Sequence, residues 1–193
     1  MITHIKGKLV EKNPTEVIID CNGVGYFLNI SLHTYSQLGD EELLHLYTHL
    51  QVKEDSHTLF GFKERSEREI FRLLISVSGI GASIARTMLS SLTPSQVKDA
   101  VAHGDVVTIQ SVKGIGAKTA QRVILDLKDK VIKLGDVSEV SIVSGNTNKD
   151  EALSALETLG FNRKGAQKVV DTLVKNDPAL SVEGIIKSAL KKL

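Results

Sequence analysis

The sequence predicts an α+β multidomain chain: a small N-terminal β-barrel, a central all-α segment and a short three-helix C-terminal domain. Three observations predict it. Residues 1–62 mix β-branched, apolar and polar side chains in short runs, as strands do. From Ser66 the apolar spacing becomes helical, with Ile70, Phe71, Leu74 and Ile75 recurring on one face. Residues 136–148 (DVSEVSIVSGNTN) hold neither period, and a helical pattern resumes after them.

Taken in order, strands are expected at Ile2–Glu11, Glu16–Asn22, Gly25–Ser31, Leu43–Val52 and Thr58–Phe62, with turns at Asn13-Pro14 and Asn22-Gly23-Val24-Gly25. Leu32–Leu38 reads as one short helix. Five short strands with a small helix suggest a closed barrel of the OB-fold type over residues 1–64. In residues 65–139, Ser66 is a candidate N-cap, with Glu69 three residues on in a capping-box pattern. Helices then continue to about Leu134, broken at Gly79, Gly81, Pro94, Gly104, Gly114 and Gly116. Thr93 is placed to cap a helix whose first turn holds Pro94. The aperiodic stretch reads as a flexible linker, of which 140–148 separates the neighbouring domains. Residues 149–193 read as a UBA-like unit of three helices: Lys149–Leu159 ended by Gly160, Arg163–Lys175 capped by Asn162, and a last one from Ser181 to Lys192. A unit of this size has little core of its own.

Composition narrows the chemistry. Aromatics are only 4% with no Trp, which argues against broad stacking platforms for single strands. The single cysteine, Cys21, excludes an internal disulfide and any all-cysteine metal centre within one chain. The opening MITHIKGKLVEK has no apolar signal core and no run approaches a membrane span, so a cytoplasmic protein without membrane contact is expected. Net charge is only +1, but its distribution is uneven. Residues 1–62 carry four Lys against eight acids, whereas residues 63–135 carry twelve Lys and Arg against seven acids. The basic part holds an internal repeat.

Displaced by 35 residues, FRLLISVSGIGASIARTMLSSL (71–92) lies over VVTIQSVKGIGAKTAQRVILDL (106–127), with eight of 22 positions identical. Each copy places Gly-Ile-Gly between the end of one helix and the start of another, which is a helix–hairpin–helix motif used twice. Glycine tolerates the positive φ of a tight connection. Without side chains at Gly79, Gly81, Gly114 and Gly116, backbone N–H groups can approach a phosphate, and the following helix adds free N–H groups and the positive end of its dipole. Ile80 and Ile115 are expected to plug each hairpin into the core. Lys113, Lys118, Thr119 and Arg122 surround the second hairpin. The first has Ser78, Ser83 and Thr87 at the equivalent positions of Lys113, Lys118 and Arg122, with Arg86 nearby, so the second should grip phosphate more strongly. A lone Gly-x-Gly is more often a simple turn. Two copies in register within a basic segment point to DNA backbone binding, which positions a protein without reading sequence.

The order barrel, twin hairpins, linker and helical tail, with MI-x-x-IKGKL at the start, VGY at Val24–Tyr26 and VKEDSHTLFGF at 52–62, resembles the RuvA family of Holliday-junction-binding subunits. The resemblance covers the whole chain. It implies a homotetramer, or two tetramers sandwiching the DNA, that holds an open four-way junction by the backbones of its arms in recombination, repair and the SOS response. It also implies an acidic pin at the crossover, matched here by Glu54 and Asp55, which by sequence alone would simply solvate a turn. Residues 149–193 would bind the RuvB motor ATPase, with the RuvC resolvase as a further partner and no cofactor. Family members often carry Lys where this chain has Ser83.

A rival class is an enzyme. Lys118 in GIGAKTA occupies the place where some helix–hairpin–helix DNA glycosylase/lyases carry a Schiff-base lysine, with Asp136 downstream as a candidate partner acid. Against this stand the duplicated hairpin and a single cysteine where an iron–sulfur cluster needs several. No P-loop is present, so ATP hydrolysis must come from a partner. His45 and His49, four apart in an expected strand, are poorly spaced for a shared metal.

Overall fold

A computed structural model of the chain describes residues 1–39, 41–139, 147–177 and 180–193. They form two compact units, Met1–Ser138 and Glu139–Leu193.

The first unit opens with strands β1 (His4–Asn13), β2 (Glu16–Cys21), β3 (Val24–Asn29), β4 (Leu43–Val52) and β5 (His57–Phe62), with helix α1 (Leu32–Gln37) between β3 and β4. They close into a barrel in the order β1-β2-β3-β5-β4, and every pairing is antiparallel except β3 with β5. That parallel seam registers Leu28 with Leu59 and Asn29 with Phe60. Ile5, Val17, Ile19, Leu28, Ile30, Leu44 and Leu46 fill the interior. Closure leaves no unpaired edge between the first and last strands.

Five helices follow in this unit: α2 (Arg65–Ile75), α3 (Ala82–Ser91), α4 (Pro94–His103), α5 (Val106–Gln110) and α6 (Ala117–Glu139). They share one core with the outer side of β5. Phe71 of α2 meets Phe60 and Phe62 at ring-centroid distances of 5.1 and 5.0 Å. Burial of such rings is the main attraction between barrel and helices, each worth roughly 1.5–3 kcal/mol.

Two local expectations need correction. The N-cap of α2 is Glu64, not Ser66, whose hydroxyl instead donates to the Glu64 carboxylate at 2.9 Å. The helix therefore starts two residues earlier, at Arg65. Its acid Glu67 is fully buried and accepts from the hydroxyls of Ser31 and Thr34 (2.6 Å for the latter) at the start of α1. Burial pushes the Glu67 carboxyl above its usual range, and the two hydroxyls pull the other way. Second, α6 passes through Gly135 and includes residues 136–139, read from sequence as linker. A glycine inside a helix costs only about 1 kcal/mol relative to alanine, so it need not end one. The expected linker core at 140–146 lies outside the described residues.

The second unit contains α7 (Thr147–Thr158), α8 (Arg163–Asn176) and α9 (Val182–Leu190). Thr147 and Asn148, assigned to the linker by sequence, form the first turn of α7. Asn162 and Ser181 cap α8 and α9 through their side chains, and Gly160 turns the chain with φ 94°. Leu153, Leu156, Val170 and Ile185 make the core, while Leu159 and Leu190 remain exposed.

Candidate nucleic-acid interface

The internal repeat has a matching structural one. In the first hairpin the N–H of Ile80 donates to the carbonyl of Val77 at 3.0 Å, and that of Ala85 to Gly81 at 2.9 Å. In the second, Ile115 donates to Val112 at 3.1 Å and Ala120 to Gly116 at 2.9 Å. Ile80 and Ile115 are 5% and 6% exposed and belong to the same core, so each pins its hairpin from below.

The glycines divide into two kinds. Gly79 and Gly114 have φ of 95° and 92°, where a side chain is strained, so the turn itself requires them. Gly81 has φ −85° and ψ 166°, a conformation open to any residue. Gly116 likewise has no positive φ, and a Cβ added at either would meet nothing within 4 Å. Neither conformation nor internal packing calls for glycine there. The space beside both is open to an external group.

Capping points the same way. Ser31, Thr93 and Asp105 cap α1, α4 and α5 through their own side chains. Gly81 leaves α3 without a side-chain cap, and Gly116 has no side chain to offer α6. As at any helix start, the first N–H groups of both helices have no acceptor within the helix and lie at the positive end of its dipole. An anion satisfies both.

The cations are distributed unequally. Lys113, Lys118 and Arg122 are exposed, and among the described residues none makes an ion pair. Lys118, Thr119 and Arg122 line an open groove of about 290 Å³ together with Ser78 and Gly79. The start of α6 therefore faces the first hairpin as well as completing the second, a juxtaposition the sequence could not supply. Ser83 stays exposed on α3. Arg86 requires a correction: its guanidinium turns to the barrel, donating to the Thr15 carbonyl at 3.2 Å and to Asn29 Oδ1 at 2.7 Å. Those acceptors lie side by side where β2 begins and β3 ends, since Glu16 pairs with Asn29.

Glu54 and Asp55 stand exposed on the four-residue β4–β5 turn, closed by the Lys53 N–H donating to the Ser56 carbonyl at 2.8 Å. Among the described residues no cation pairs with either carboxylate.

The enzymatic alternative fails on geometry. Lys118 and Asp136 belong to the same continuous helix, eighteen residues apart, which places their backbones roughly 27 Å from each other at 1.5 Å per residue. His45 stacks on His4 and Tyr47, and His49 on Phe71, so each imidazole has its own surroundings. Burial, then neighbouring cations, lower the pKa of both.

Sequence comparison accords with this construction. The family model described as a SAM-like helix-hairpin-helix tandem matches residues 71–129. Those for the RuvA N-terminal domain and the RuvA C-terminal domain match residues 1–61 and 147–193. A protein of Christiangramia forsetii named Holliday junction branch migration complex subunit RuvA is 68% identical over 193 residues, covering 100% of both chains. The chain belongs to the RuvA family. Relatives of the same name in Flavobacterium psychrophilum and Cytophaga hutchinsonii are 67% and 51% identical, covering 100% and 99% of each chain. Membership explains why the OB-type barrel, tandem hairpins and three-helix unit occur in one RuvA-family chain.

Reading from sequence missed Glu67 and the Arg86 acceptors. Glu67 had a signal: with Ile70, Phe71 and Leu74 it falls on the apolar face of α2 at helical spacing, where an acid implies a buried polar partner. Arg86 had none, because Thr15 and Asn29 are far away in sequence.

Proposed function

We propose that this RuvA-family chain binds four-way DNA junctions through the phosphates of their arms, without reading base sequence, as the non-enzymatic DNA-binding subunit of a branch migration complex. The observation that carries the reading is the pair of uncapped, side-chain-free helix starts at Gly81 and Gly116. Gly79, Gly81, Gly114 and Gly116 admit the backbone; Lys113, Lys118, Thr119 and Arg122 add charge and hydroxyl contact, and Ser83 contributes little beyond room. Each neutralised phosphate releases condensed counterions, so affinity should fall steeply with salt.

Such grips explain affinity for any duplex. Choice of a junction is assigned to the Glu54–Asp55 turn in a homotetramer, singly or as a facing pair. Unpaired carboxylates brought together around a fourfold axis repel phosphate at short range, where salt screens poorly. Continuous duplex would have to cross them, whereas the open centre of a junction would not. The discrimination thus comes from an added repulsion. The three-helix unit, whose Leu159 and Leu190 are exposed, is the proposed docking part for the RuvB motor, which supplies ATP hydrolysis; RuvC remains a further partner in this scheme. Cytoplasmic residence fits the DNA substrate, and among the described residues no helix is long and apolar enough to cross a membrane.

The test is a gel-shift series with a four-way junction against linear duplex of matched arms. Junction binding should be tighter by at least tenfold, and Glu54→Gln with Asp55→Asn should narrow that gap mainly by improving duplex binding. Equal affinities in the parent protein would sink junction selection. Removing residues 149–193 should spare junction binding and abolish motor stimulation.

A further inference from the structure

The side chain that departs furthest from its expected place is Arg86. It lies on α3, the helix opened by the first hairpin, yet both of its hydrogen bonds go to the barrel. Its acceptor Asn29 is the last residue of β3 and sits on the two-residue parallel seam with β5. The Asn29 amide in turn donates across that seam to the Leu59 carbonyl at 3.4 Å. Leu59 follows Asp55 by four residues on the strand that leaves the acidic turn. One turn beyond Arg86, Ser90 Oγ accepts from the N–H of Leu32 at 3.1 Å, giving α3 a second point of attachment at the start of α1. Hydrogen bonds of this kind connect the first hairpin through a short path to the strand that leaves the Glu54–Asp55 turn.

We propose that Arg86 is a positioning residue for junction recognition: through Asn29 it fixes the first phosphate grip relative to the acidic turn. This rests on the junction-binding reading above. A tetramer that must satisfy arm contacts and central repulsion at once needs those two features at a set separation. A small misplacement is costly when several contacts must be made together. Linear duplex, which has no crossover to match, does not impose that condition. The charge of Arg86 is spent inside the protein, so its removal should not register as a lost phosphate contact.

The test measures junction and linear-duplex affinity of the full-length chain by fluorescence anisotropy over a range of NaCl concentrations. Arg86→Gln, Asn29→Ala, their double variant and Asn29→Asp are compared with the parent. Arg86→Gln and Asn29→Ala should each weaken junction binding about tenfold and alter duplex binding less than threefold. The slope of log affinity against log salt should stay unchanged. The double variant should be no worse than the poorer single one, because both remove the same contact. Asn29→Asp keeps an acceptor for the guanidinium but loses the amide donor to Leu59, so its junction preference should fall as it does in Asn29→Ala. If Arg86→Gln lowers the duplex salt slope by about one while Asn29→Ala does not, Arg86 is a direct phosphate contact and the proposal is overturned. It is equally overturned if Asn29→Asp keeps the full junction preference of the parent, or if junction binding is indifferent to every variant. Should Arg86→Gln fail to fold, the two Asn29 variants still decide. A parent protein that binds both DNAs equally would defeat the junction reading itself, and that result is read before any variant is compared.

Discussion

The first and second hairpins repeat the same backbone hydrogen bonds, Ile80 to Val77 and Ala85 to Gly81 matching Ile115 to Val112 and Ala120 to Gly116 within a tenth of an ångström, yet their surroundings differ. The second is charged: Lys113, Lys118 and Arg122 stand free around it. The first is braced: its serines and threonine bring no charge, and its one nearby cation is tied to the barrel. The repeat presents one backbone geometry twice, and the side chains around it set the two copies apart. The groove joining Ser78 and Gly79 to Lys118 and Arg122 lets the charge of one serve the other.

Breaking the shared backbone should have the largest effect. Gly116→Val adds a side chain that meets nothing in the protein but occupies the approach to the helix start. Losing two charge-assisted hydrogen bonds costs about 3 kcal/mol, or roughly a hundredfold in DNA affinity, with little change in melting temperature. Gly81→Val should cost less, roughly tenfold, because Lys118 and Arg122 still face the first hairpin. Equal losses measured by anisotropy would erase the inequality.

Removing charge tests the other side of the comparison. Lys118→Ala with Arg122→Ala should reduce affinity by roughly tenfold and the salt slope by about two, whereas Ser83→Ala with Thr87→Ala should change affinity less than about twofold. Adding charge sharpens it further: Ser83→Lys should tighten duplex binding by roughly threefold and raise the salt slope by about one. A serine-to-lysine change without effect on the slope would place Ser83 away from the DNA.

The smallest effect concerns the buried Glu67 contact between α2 and α1 and is read as stability. Burial raises the folded-state pKa of Glu67 above the ordinary 4.5, so protonation is favoured in the folded chain. The associated stability is complete below about 4.5 and is lost as pH rises through the raised value. Glu67→Gln removes that titration. The difference in denaturation midpoint, parent minus variant, should therefore decline as pH increases from 4.5 and then level off. A constant difference across that window would exclude Glu67 as its source.

Much of this was legible in the sequence because the signals were local. Strand ends fell within about two residues of those observed, since β-branched runs and turn residues mark a barrel directly. The hairpins declared themselves by repetition, and the caps Thr93, Asn162 and Ser181 by type and place. What sequence could not give was direction. Nothing local says that Arg86 turns away from the hairpin, that α6 swings Lys118 toward Gly79, or that Gly135 is passed over rather than obeyed. Those depend on what the fold brings alongside, and Thr15 and Asn29 reach α3 only after the barrel exists. Site assignments made residue by residue consequently work best for backbone groups and worst for long, flexible cations.

The parallel seam between β3 and β5 has a consequence in time. Leu28 and Leu59 meet across a long loop, and pairings of that kind form slowly, whereas helical hairpins assemble from near neighbours. When a denatured chain refolds, its helical hairpins should therefore form before its barrel shuts, and Asn29 becomes available to Arg86 only with that closure. On the proposed reading, the protein in this interval would adhere to DNA without choosing among DNA shapes. Fidelity, on this ordering, is the last property the molecule gains as it folds and the first it gives up when the seam opens.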